Sequence, residues 1–198
     1  MNEPTPEHVL AFVDHMRGHF LAQIADKRDA VVMRAASVLL DQLGIVEKTR
    51  FLENYATTIG RTIYLPFEPG VPSAGWPLWT QMVVLTHECQ HIAQLDRIGP
   101  WAFFLRYVAK KAERAVLEAD AYRCQLELYF WRTGQVLAPK LLAARLQAYA
   151  VTETDVRVAE KVLVSSAETI KRGGVMTEAG RVAIAWLDKY APDLRDAR

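Results

Sequence analysis

His87, Glu88 and His91 form the chemically pointed part of this chain. They stand in the run His-Glu-Cys-Gln-His at 87–91, an HExxH pattern. On an α-helix, residues i and i+4 share one face with Cβ atoms ~5–6 Å apart, so both imidazoles can meet at a single ion. Neutral imidazole suits Zn²⁺, and a catalytic zinc takes three protein ligands and leaves one position for water. Glu88 is turned about 100° around the helix from His87. A carboxylate there sits beside the ion without binding it and can take a proton from an attacking water.

The surrounding residues predict the helix that the motif requires. Leu78, Met82, Leu85, Cys89, Ile92 and Ala93 recur with helical period, and neither Pro nor Gly interrupts them before Gly99-Pro100. The competing reading is two hydrogen-bonded histidines in a core helix. A metal site needs a third ligand, and no histidine follows His91. The candidates are therefore carboxylates or groups upstream. Asp96, five residues past His91 on the same helix, reaches the ion poorly. Glu113 and Glu118 lie on the next helical stretch, 102–133, which can pack back on the first. There Leu117, Ala121, Cys124, Leu128 and Trp131 form an apolar stripe, with Glu118, Tyr122, Gln125 and Tyr129 along its edge. A half-buried Glu118 needs a cation, either a metal or Arg114 one turn earlier.

The stretch Leu117-Glu118-Ala119-Asp120-Ala121-Tyr122 resembles the E-x-x-A signature of the gluzincins, HExxH peptidases whose third ligand is a glutamate on a following helix. The longer run His87–Gln94 is similar to the HExxHxxQ of small bacterial gluzincin-like domains. The resemblance covers about residues 80–130. It implies that His87, His91 and Glu118 hold Zn²⁺, that Glu88 is the general base, and that small Ala121 lets the two helices approach. The thermolysin-like pattern carries an Asp where this chain has Tyr122, so Asp120 or Asp96 is expected to replace that supporting carboxylate. The activity implied is hydrolysis of peptide or protein substrates. The donor for the oxyanion is open among Tyr122, Tyr129, Tyr107 and Arg106; Tyr122, one turn from Glu118, is the first candidate catalytic partner of Glu88.

Composition bounds the other classes. The chain has 198 residues, enough for one well-buried core, so we expect a single metallopeptidase-like domain over 1–198. With 24 basic and 23 acidic residues there is no basic excess, and Arg106, Lys110, Lys111 and Arg114 read as a solvated helix face; nucleic acid is not an expected partner. No signal peptide and no membrane span are read from the sequence. Two cysteines, Cys89 and Cys124, make no disulfide framework, which favours a cytoplasmic protein with reduced thiols. Two rival readings are a metal-binding or regulatory protein without catalysis, and a helical interaction protein with a chance HExxH.

The elements expected are helices near 6–24, 27–44 and 48–56, then one strand over 57–65, Thr-Thr-Ile-Gly-Arg-Thr-Ile-Tyr-Leu. A Pro/Gly loop follows over 66–77, then helices at 78–97 and 101–133 with a bend near 108–112, and three more near 138–149, 152–171 and 177–190. The expected fold is mostly helical α+β. Residues 1–56 supply N-terminal helices, 57–134 the strand and zinc-binding helices, and 135–198 a helical cap. In gluzincins an edge strand before the metal helix binds extended peptide, so residues 58–65 are expected to do so here, with Tyr64 at the cleft. A plain two-stranded ribbon is the alternative.

Overall fold

The computed structural model describes residues 2–27 and 55–196. The helix expected over 27–44 and the turn expected over 48–56 lie outside the described residues apart from their ends. Among the described residues the fold is mostly helical, seven α-helices with one three-stranded sheet.

Helix α1, Pro6–Phe20, starts in a capping box in which Thr5 and His8 satisfy each other's backbone N–H groups. It stops at Leu21, which turns left-handed, and the Arg61 guanidinium covers the Phe20 carbonyl at 2.7 Å. The expected helix to residue 24 is therefore shorter, because Gln23–Asp26 forms strand β1 instead. That strand exists through its parallel pairing with β3, Thr62–Leu65. The single strand expected over 57–65 is a tight hairpin: β2, Thr57–Ile59, turns at Gly60-Arg61 and pairs antiparallel with β3. The order β1-β3-β2 places β3 in the centre, with β2 as an edge. Ile63 and Leu65 are buried, as strand alternation requires.

Helix α2, Leu78–Ile98, carries the HExxH motif through the middle of the molecule. Every residue from Leu85 to Gln94 is buried, six of them polar. Its first turn is tied to the preceding loop by Gln81, whose Oε1 accepts from Gly70 N–H and whose Nε2 donates to the Val71 and Trp76 carbonyls. Gly99, at φ 84°, ends the helix in a backbone conformation that side chains disfavour, and Pro100 opens α3, Pro100–Ala109. Lys110 is extended and separates α3 from α4, Lys111–Thr133, so the bend expected near 108–112 is a break between two helices.

Helix α4 joins two apolar clusters. Cys124, Leu128 and Trp131 pack with α1, the sheet and α2, while Ala119, Tyr122 and Leu126 pack against α5 (Pro139–Arg145), the 3₁₀ turn Leu146–Tyr149 and α6 (Glu153–Lys171). Helix α7, Glu178–Tyr190, brings Ala183, Trp186 and Leu187 into the first cluster. The packing of α4 on α2 is the contact that builds the site.

Candidate metal centre

His87 and His91 lie one turn apart on α2 and face α4, with ring centroids 4.9 Å apart and planes at 83°. Glu118 of α4 enters between them, buried to 1% exposure. Its Oε2 is 3.4 Å from His87 Nε2 and its Oε1 is 3.6 Å from His91 Nε2. One ligand atom from each residue falls within 4.8 Å of the others, a spread that one ion can bridge. Glu113 is elsewhere, held on the surface by Lys110 Nζ at 2.7 Å and Arg106 Nε at 3.1 Å. Asp96 is exposed and paired with Arg61 at 2.5 Å. Arg114 does not meet Glu118: it is buried and donates to the Tyr107, Val108 and Tyr149 carbonyls.

Hydrogen-bond logic fixes which nitrogen of His91 faces Glu118. Gln94 Nε2 donates to Leu117 O and Asp120 Oδ2, each at 2.9 Å, so its Oε1 is the atom that meets His91 Nδ1 at 2.9 Å. An amide oxygen only accepts, so Nδ1 carries a proton and donates, and Nε2 is the nitrogen that faces Glu118. The carboxylate support expected from Asp120 or Asp96 is thus indirect: Asp120 holds Gln94, and Gln94 holds His91. Asp120 also accepts from Gln90 Nε2 at 2.9 Å and Arg123 Nη1 at 2.7 Å.

Glu118 has a second support. Tyr107 of α3 donates to its Oε1 at 2.6 Å, while Oε2 is buried with no hydrogen-bond partner. Burial works against charge on Glu118, yet His91, His87 and Tyr107 together outweigh it and hold the carboxyl below its usual range. His87 behaves in the converse way: burial pushes it down, and Glu118 pulls its affinity for a proton up. Burial and Glu118 both drive the Tyr107 hydroxyl well above the ordinary tyrosine range, so it stays a donor. An ionised carboxylate with one orphaned oxygen, set between the Nε2 atoms of two imidazoles in one buried space, makes a donor set that fits a divalent cation.

Glu88 is also buried, at 5% exposure, and points to the sheet. Thr58 of β2 donates to its Oε2 at 2.7 Å, with the Glu88 carbonyl 3.3 Å from the same hydroxyl. This tie was not read from the sequence; it depends on the hairpin placing an edge-strand hydroxyl against α2. Lys27, just past β1, is fully buried and bonds the Tyr55 carbonyl at 2.8 Å and Thr57 Oγ1 at 2.7 Å. Burial lowers its pKa to about 7 against the opposing pull of Glu88.

A cleft of about 660 Å³ opens on this arrangement, with His87 and Glu88 on its wall. Tyr122 lines it too, its ring 5.0 Å from that of His87. Tyr149, which the sequence did not single out, is brought in by the turn after α5. Of the other oxyanion candidates, Tyr107 spends its proton on Glu118, Arg106 is paired with Glu113, and Tyr129 does not line the cleft. Tyr64 does not line it either, since it sits on the central strand. Both cysteines are buried and free, and no helix among the described residues is long and apolar enough to cross a membrane. No family model, no curated protein and no solved structure matches this chain, so its chemistry has to be argued from its geometry.

Proposed function

We propose that the protein is a zinc-dependent metallopeptidase of gluzincin type, working in the cytoplasm, where its two free thiols stay reduced. One observation carries this reading: Glu118 reaches His87 and His91 from a separate helix and buries an oxygen with no partner but those rings, while Glu88 stands beside them on the wall of an open cleft. A purely structural histidine pair has no need of an ionised carboxylate between its nitrogens, nor of a second buried carboxylate at the cleft.

A bound Zn²⁺ would supply Lewis acidity, lowering the pKa of water toward ~7 and polarising an amide carbonyl. The chain's own residues do the rest. His87, His91 and Glu118 hold the ion, with Gln94 and Tyr107 fixing their directions. Glu88 takes the proton from the attacking water and later delivers it to the leaving amine. Thr58 keeps that carboxylate aimed. Tyr122 and Tyr149, which line the same cleft, are the hydroxyl donors for the developing oxyanion.

The test is zinc per chain by plasma mass spectrometry, with hydrolysis of a peptide library, on wild type, Glu118→Ala and Glu88→Gln. We expect about one zinc in wild type, little in Glu118→Ala, and full zinc in Glu88→Gln with hydrolysis reduced ~10²–10⁴-fold. Full occupancy in Glu118→Ala would remove the third ligand. Undiminished hydrolysis by Glu88→Gln would remove the general base.

A further inference from the structure

Among the described residues, the cleft is walled by the aromatic rings of Tyr55, Trp76, Tyr122 and Tyr149, and apart from Glu88 and titratable His87 its charged lining is a single residue, Arg145. Arg145 ends α5 and makes no ion pair among the described residues. Among those residues it has one hydrogen bond, from Nη1 to Gln125 Oε1 at 3.3 Å. That acceptance leaves the Gln125 amide N–H groups, also on the cleft wall, as further donors. Arg145 and Tyr122 line the same cleft, and the positive charge of Arg145 is felt at the Tyr122 hydroxyl.

Helix α4 measures the distance. Glu118, Tyr122 and Gln125 lie along one face, and seven residues at 1.5 Å rise put Gln125 about 10 Å from Glu118. An extended peptide advances ~3.3–3.6 Å per residue, so that interval is about three residues of substrate. A guanidinium presented with amide donors is matched by a carboxylate, which it binds with two parallel hydrogen bonds.

We propose that the cleft takes peptides bearing a carboxylate about three residues from the scissile bond, and that Arg145, backed by Gln125, recognises it. This rests on the peptidase reading above. The carboxylate is either the free C-terminus of a short peptide or an acidic side chain at that spacing.

The test uses calorimetry on full-length Glu88→Gln, which keeps peptides intact, and on Glu88→Gln with Arg145→Gln. The probes are three matched N-acetylated Ala/Phe hexapeptides: a free acid, a C-terminal amide, and an amide with one internal glutamate. Binding of a carboxylate peptide about tenfold tighter than the plain amide is expected, with the preference lost on Arg145→Gln. Preference for the free acid alone identifies the C-terminus, and preference for the internal glutamate identifies a side chain. Equal binding of all three, no binding of any, or a preference that survives Arg145→Gln overturns the proposal. Wild type is incubated with the same peptides in parallel. Cleavage without carboxylate preference sinks this inference and leaves the peptidase reading standing, whereas carboxylate preference without cleavage of any peptide sinks the peptidase reading and leaves Arg145 as a carboxylate-binding residue alone.

Discussion

Gln94 Oε1 meets His91 Nδ1 at 2.9 Å, and the other end of the same amide is held by Asp120 Oδ2 and the Leu117 carbonyl. Two helices are thereby joined through one side chain. Because Leu117 and Asp120 flank Glu118 on α4, the group that orients His91 is anchored beside the carboxylate that meets it. Ligand direction and helix packing are one structural unit here.

Replacing Gln94 with Leu keeps the side chain's bulk and removes both ends of that link. We expect zinc affinity to fall ~10–100-fold, as for other lost supports of a ligating histidine. Competition with a zinc-binding dye measures it, and an affinity equal to wild type would mean that packing alone holds the His91 ring.

Thr58→Val tests the aim of Glu88. The methyl replaces a hydroxyl that donates to Oε2 at 2.7 Å, a hydrogen bond to a charged group worth ~1.5–3 kcal/mol. If the general base is held by this contact, kcat drops roughly tenfold or more while zinc content is unchanged. Thr58→Ser, which retains the donor, is expected to restore most of the rate.

Lys27 gives the molecule a pH-dependent stability. Its folded pKa is lowered by burial to about 7, below the ordinary 10.5. Below pH ~7 it is charged in both states, and the folded state bears the cost of the buried charge. Between about 7 and 10.5 the unfolded chain binds more protons than the folded one, so stability rises with pH across that window. Thermal melts of wild type and Lys27→Met from pH 6.5 to 9.5 read the effect as a difference, in which other titrating groups cancel. A constant difference in Tm would show that Lys27 keeps its ordinary pKa.

Gly180 is the tightest glycine of the core. A Cβ there would collide with Glu127 Oε2 and lie 2.5 Å from Thr177 Oγ1. Glu127 accepts from the Met176 and Thr177 N–H groups and from the Thr177 hydroxyl, which in turn accepts from Gly180 N–H at 3.0 Å. Gly180→Ala has to displace this buried carboxylate from the start of α7. We expect a loss of ~1–3 kcal/mol, or a Tm lower by several degrees in a chain of this size. An unchanged melting curve would show that Glu127 moves aside freely.

Local geometry was legible in the residues alone. A 3.6-residue period and an i, i+4 spacing put His87 and His91 on one face of one helix wherever that helix goes. The Gly99-Pro100 break, the loop at 66–77 and the predominance of helix are local in the same sense. The resemblance named Glu118, whereas spacing alone left Glu113 and Asp96 beside it.

Which of those carboxylates meets the two histidines depends on the face of α4 that packs on α2, and that is a matter of tertiary packing. Asp96 turns out to Arg61, and Glu113 to Lys110 and Arg106, while Glu118 turns in. Strand β1 escaped the sequence because four residues, Gln-Ile-Ala-Asp, carry no alternation and become a strand only by pairing with β3. The hairpin inside 57–65 was hidden for the opposite reason: one β-branched run reads as one strand until Gly60-Arg61 reverses it. That reversal brings Thr58 to Glu88, and the packing of α5 on α4 brings Arg145 to Gln125. Contacts between residues distant in sequence are set by how apolar faces bury against one another, and no local pattern records them.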